Sequence, residues 1–136
     1  MTILSLDIGA KRIGVAISHG IIAEALQTLN YDEKKPDIFL NALKKTVTEQ
    51  KAEKIIVGLP FGRNQKETVQ SRDIREITKK IEAEIDVKTE FVEESYSTAD
   101  ALRQMQELAQ DRKNLKKMDK DSESARIILE QYLNSR

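Results

Sequence analysis

Apolar and polar positions change over in three short runs at the start of the chain, Ile3 to Leu6, Ile13 to Ser18 and Ala23 to Leu29, each of strand length. Gly9 and Gly20 fall between these runs and leave room for tight turns, so three strands pairing consecutively and antiparallel are expected. The period then changes. Behind Pro36, which suits the first position of a helix, Ile38, Phe39, Ala42, Leu43 and Val47 recur at helical spacing to about Gln50. Lys54 to Gly58 is almost wholly apolar, as in a strand covered on both faces, and Pro60 and Gly62 are expected to end it. Val69, Ile74, Ile77, Ile81 and Ile85 mark a second helix from about Glu67, and Val87 to Val92 supplies another strand. Ser97 and Asp100 have the spacing of a capping box ahead of a helix with Ala101, Leu102, Met105 and Leu108 inward. A basic loop then leads to a last helix that buries Ala125, Ile128, Leu129, Tyr132 and Leu133.

This succession predicts an α/β fold, a mixed five-stranded sheet made of three antiparallel strands followed by alternating helices and strands, with helices on both faces. At 136 residues and 39% hydrophobic content the chain suits one core, hence a single domain over 1–136. The absence of cysteine excludes disulfides and thiolate metal sites. Any metal must be held by carboxylates or by His19, which favours hard cations such as Mg2+ or Mn2+. His19 itself has no acidic or histidine companions at metal-ligand spacing and reads as structural or exposed. No apolar run approaches the ~18 residues of a spanning helix. The opening residues show no basic stretch ahead of a signal-type apolar segment, so a cytoplasmic protein without a membrane partner is expected.

Lysine plus arginine equals aspartate plus glutamate at 23 each, so a polyanion-binding footprint would have to be local. The densest cluster is Arg112, Lys113, Lys116, Lys117 and Lys120, interrupted by Asp111 and Asp119; alone it is equally a solvated charged face. Three acidic positions alter its meaning. Asp7 ends the first apolar run beside Gly9, where it serves either as a turn aspartate or as a ligand at a strand end. Glu93 and Glu94 follow the last strand, at the edge where ligands sit in sheets of this kind; alternation sends them to opposite faces, and Glu94 is the better partner for Asp7. Asp121 opens the terminal helix, as an N-cap or as a third ligand, with Asp119 competing for either role. Converging carboxylates are what two divalent ions ~3.5–4 Å apart need in order to direct an in-line water attack on a phosphodiester. Phosphates must be drawn to such an acidic site, which gives the nearby basic cluster a purpose.

The run Leu6-Asp7-Ile8-Gly9-Ala10-Lys11-Arg12-Ile13-Gly14-Val15-Ala16 resembles the opening motif of the YqgF family, also called RuvX. Ile56-Val57-Gly58-Leu59-Pro60, then Val92 to Ala101, then Asp121 to Leu133 resemble its three further blocks, in family order and across nearly the whole chain. The resemblance implies a ribonuclease H-like fold and a divalent-metal nuclease acting on the 5′ end of pre-16S rRNA during ribosome biogenesis. A Holliday-junction resolvase-like DNA endonuclease, or a catalytically weak nucleic-acid-binding protein, is the alternative. It makes Asp7, Glu94 and Asp121 the catalytic, metal-holding triad, and Arg12 a phosphate or structural contact. Lys11, Arg63, Lys113, Lys116, Lys117 and Lys120 are then candidates for nucleic-acid contact, Gly9 and Gly14 serve the hairpin, and Gly58 and Pro60 form a turn near the site. Pre-rRNA is the expected partner with branched DNA second, and the protein acts as a monomer or homodimer; paired junction cuts would require the dimer. The chain departs from the family pattern at Glu93, in place of aspartate, and at Ser95, in place of an arginine whose phosphate-gripping fork serine cannot reproduce. Ser124 stands for the first alanine of the terminal pair, and Phe61-Gly62-Arg63 departs from the usual asparagine- and glycine-containing loop. An aspartate and glycine near the start also resemble the phosphate loop of actin-like ATPases, but those enzymes close two lobes and this length supplies one.

Overall fold

The opening alternation folds into β1 (Ile3–Ile8), β2 (Arg12–Ser18) and β3 (Ala23–Asn30), paired antiparallel in sequence order. In this computed structural model residues 1–60, 68–94 and 117–135 are described, without the side chains of Glu94 and of residues 117–119. After helix α1 (Pro36–Gln50), β4 (Lys54–Pro60) lies parallel to β1, and after α2 (Val69–Glu84), β5 (Lys88–Glu94) lies parallel to β4. The terminal helix, α3, runs from Lys117 to Asn134. The sheet has five strands in the order β3-β2-β1-β4-β5, the mixed arrangement expected from the sequence.

Alternation along the strands divides the core in two. Leu4, Leu6, Ile8, Ile13, Val15, Ile55, Val57 and Leu59 point to one face, where Phe39 and Leu43 of α1 and Ile74 and Ile81 of α2 cover them. Ile3, Ala16 and Ile56 point to the other, under Ala125, Ile128, Leu129 and Tyr132 of α3. Helices therefore cover both faces. Thr68 and Ser71 start α2 with reciprocal capping bonds: the Thr68 Oγ1 accepts from the Ser71 N–H at 3.1 Å, and the Ser71 Oγ accepts from the Thr68 N–H at 2.8 Å. In the β2–β3 pairing the register shifts between Val15 and Ala16, which bulges β3.

Several expected boundaries move. β1 continues two residues past Leu6, so Asp7 pairs with Gly14 inside the ladder and is not the turn aspartate that the sequence also allowed. Gly14, Gly58 and Pro60 are strand residues and not turn residues. Pro60 is tolerated because it stands at the final position of β4, beyond the last β1 pairing at Leu6 and Val57, where a missing N–H breaks no bond to β1. The last helix begins at Lys117, so Asp121 lies within it and is not an N-cap. Ile38 and Val69, counted inward by their spacing, are 64% and 68% exposed because they sit at the margins of their helical stripes. The helix expected around Ala101 to Leu108 lies outside the described residues. Among those described, no helix is long and apolar enough to cross a membrane.

Candidate metal and nucleic-acid site

Asp7 faces α3. Its neighbours in the same alternating series show this: Ile3 lies in the α3 cluster, and the Ser5 hydroxyl donates to the Ala125 carbonyl at 2.6 Å. Asp7 is half-buried near the carboxyl end of β1. Beside it the turn closes with the Gly9 N–H donating to the Arg12 carbonyl at 3.0 Å, and a Cβ on Gly9 would fall 2.8 Å from that same oxygen. Glycine is needed there for the turn, as expected from sequence.

Gly14 has a different task. An ideal Cβ at this position would lie 1.9 Å from the carbonyl oxygen of Asp121, so the backbone of α3 rests directly on β2. Because Gly14 pairs with Asp7, this contact brings Asp121 to the strand neighbour of Asp7. Gly58 on β4 instead makes room for a side chain of the same helix: a Cβ there would meet the Ile128 Cδ1 at 2.7 Å. The Arg12 Nε donates to the Asp121 Oδ2 at 2.7 Å, an ion pair whose side chains are 38% and 25% exposed. On the flank of α3, Arg126 bridges Glu123 and Glu130. Burial works against its charge, but the hydrogen bonds and charges of those two acids hold its pKa above the ordinary arginine value.

On β5, Val92 packs with the α3 cluster and Phe91 with the opposite one. Position 94 belongs to the Val92 series, the α3 side, whereas Glu93 belongs to the Phe91 series and is exposed. Extending the register one step past Leu6 and Val57 puts Asp7 level with Gly58 and Val92, so Glu94 stands two residues further along at the same edge of the sheet. Two strand spacings separate the backbones of β1 and β5, roughly 10 Å. Among the described side chains no three acids or histidines form a metal-holding group; that set contains Asp7 and Asp121 but not the side chain of Glu94. The carboxylate oxygens of the half-buried Asp7 and Asp121 are of the donor type that hard divalent cations such as Mg2+ or Mn2+ would take.

Lys11 is exposed in the β1–β2 turn, its carbonyl accepting from the Tyr31 N–H at 2.8 Å. Lys120 is half-buried in α3, and Lys117 is the first residue of that helix. Arg63, Lys113 and Lys116, together with Arg112 and Ser95, lie outside the described residues. His19 is exposed, with Nδ1 3.1 Å from the Thr2 hydroxyl, as its isolation in the sequence suggested. Sequence reasoning overlooked Ser5 and Lys54. Both are polar positions on the α3 side of apolar strands, a signal that a check of the alternation would have raised. It also gave no hint of a cleft of about 500 Å³ on the α1 and α2 side of the sheet, behind the Gly9 turn, floored by Ile8, Tyr31 and Ile74 with Glu33 and Asp73 at its rim.

The family model described as "RuvX: Holliday junction resolvase" matches residues 1–135. A Streptococcus mutans protein named "Putative pre-16S rRNA nuclease" is 32% identical over 98% of this chain and 98% of its own length. A Dictyoglomus turgidum protein of the same name is 32% identical over 99% of this chain and 95% of its own. Among solved structures, Thermus thermophilus RuvC in complex with Holliday junction substrate superimposes with a TM-score of 0.61 at 13% identity, covering 100% of this chain and 96% of that one. Free Thermus thermophilus RuvC gives 0.59 at 12% identity, with the same coverage. At these identities the structural likeness establishes the fold, which is ribonuclease H-like. With the opening motif, the glycine contacts that seat α3 and the full-length match in agreement, the chain belongs to the RuvX family.

Proposed function

We propose that this chain is a metal-dependent nuclease that hydrolyses phosphodiester bonds at the 5′ end of pre-16S rRNA. The observation that supports the reading is the seating of the Asp121 backbone on Gly14, the ladder partner of Asp7, on the α3 side of the sheet and near its carboxyl edge. Asp7, Asp121 and Glu94 are the residues that would hold Mg2+ or Mn2+. Bound there, the ions supply charge stabilisation to a phosphoryl oxygen and lower the pKa of an attacking water. The protein's own work is positional. The β1–β4–β5 ladder would hold the two strand acids, the Gly14 contact with α3 would hold the third, and Lys11, Lys117 and Lys120 would supply positive charge for a phosphate backbone. Substrate choice follows the names of the curated relatives, and work in the cytoplasm goes with it.

Resolution of four-way DNA junctions is the second reading, favoured by the family description and by the junction-bound RuvC structure. It demands two symmetric cuts and hence a homodimer, whereas trimming of an end needs only a monomer. The deciding experiment incubates the purified protein and its Asp7→Asn variant with a pre-16S 5′ leader and, in parallel, a synthetic junction, in Mg2+, in Mn2+ and in chelator. Leader cleavage at a mapped position, lost in chelator and reduced about 100-fold or more by Asp7→Asn, is expected. Symmetric junction cuts alone would favour the second reading. If wild type cuts neither substrate, or Asp7→Asn cuts as well as wild type, the nuclease assignment fails.

A further inference from the structure

We propose that Arg12 is a displaceable counterion of this site: its guanidinium pairs with Asp121 and competes with a divalent cation for that carboxylate. The inference rests on the reading of Asp121 as a metal-holding residue. Its physical basis is that orientation and charge are supplied by different parts of the site. The backbone of Asp121 is seated on Gly14, so the carboxylate does not need the arginine in order to be aimed. The backbone of Arg12 is equally fixed, by the Gly9 N–H on its carbonyl and by pairing with Asn30, which leaves only its side chain to move. The ion pair that joins them is partly exposed, so water reaches it and can take over part of its hydrogen bonding.

A divalent cation on Asp121 would stand within about 5 Å of a guanidinium, and the like charges repel in this partly wet setting. The arginine then turns outward. The bond to Asp121 runs through Nε, one of the five N–H donors of the guanidinium. Once released, the planar fork is free to grip a phosphate edge with two donors, a geometry that a lysine ammonium does not offer. One side chain would thus link cation loading to phosphate capture. That link also bears on Ser95, which stands in the sequence where the family carries an arginine: Arg12 would supply a guanidinium fork that serine cannot.

The test is Mn2+ titration of metal-stripped wild type, Arg12→Gln, Arg12→Lys and Asp7→Asn, followed by electron paramagnetic resonance of free Mn2+, with circular dichroism as the check on folding. Wild type is expected to bind Mn2+ in a manner that Asp7→Asn abolishes. Arg12→Gln should bind about three- to tenfold more tightly, and Arg12→Lys, which keeps the charge, close to wild type. Equal or weaker binding by a folded Arg12→Gln overturns the proposal and leaves the nuclease reading intact. If wild type shows no Asp7-dependent binding, both fall. A second measurement needs no folded variant: the Nε–H resonance of Arg12 in the wild type should shift on addition of Mg2+, and a resonance unmoved at saturating Mg2+ overturns the exchange.

Discussion

Gly14 and Asp121 share a space with no room for a methyl group. A Cβ on Gly14 would lie 1.9 Å from the Asp121 carbonyl oxygen, 2.3 Å from its carbon and 2.9 Å from the Ser122 nitrogen, all backbone atoms that cannot rotate away. Gly14→Ala must therefore lift α3 from β2. We expect a loss of at least about 2–3 kcal/mol in urea unfolding, with Mn2+ affinity falling further than partial unfolding explains, because Asp121 moves with the helix. A Gly14→Ala protein with the wild-type midpoint would show that the helix seats elsewhere.

Glu93 and Glu94 are chemically equivalent and adjacent, so they form an internal control. Position 94 lies in the Val92 series on the α3 side and Glu93 in the exposed Phe91 series. Glu94→Gln should lower cleavage about 100-fold or more, whereas Glu93→Gln should stay within about threefold of wild type. Measured under single-turnover conditions, the reverse ranking would assign the ligand to Glu93.

Lys54 enters the sheet almost wholly buried, its Nζ 2.9 Å from the Tyr132 hydroxyl, 3.9 Å from the Glu90 Oε1 and 5.5 Å from the Tyr132 ring centroid. Its register partner is Ile3, at the end of β1 opposite to Asp7. Tyr132→Phe removes an acceptor from a charged donor and should cost about 1.5–3 kcal/mol, read by thermal unfolding. Cleavage at a temperature where the variant is folded should be unchanged. A stability loss below about 0.5 kcal/mol would mean that the ammonium draws its support from elsewhere.

The strands and the two central helices were legible because their signals are local. Alternation, Pro36 and the isoleucine spacing of α2 each concern residues a few positions apart. Alternation separates positions 93 and 94 in the same way, since a two-residue period carries into the register. What escaped was set by contacts between distant residues. The family resemblance gives Gly14 a role in the hairpin, but its close contact is with Asp121 on the last helix. The Arg12 and Asp121 pair spans 109 positions, and nothing local announces it. Charge concealed the start of α3: Lys117 to Lys120 reads as a basic loop, while lysine and methionine are good helix formers. Asp7 was placed at a strand end, and the ladder runs one residue past it.

The bulge in β3 bears on self-association. β3 is an edge strand, and at such an edge an unbroken row of backbone donors and acceptors would invite a second chain to extend the sheet. The slip in register between Val15 and Ala16 interrupts that row, and exposed Glu24 adds a charge beside it. Extension of the sheet by a second copy across β3 is therefore disfavoured, and a two-fold assembly that delivers paired cuts would call for a contact other than strand addition at this edge.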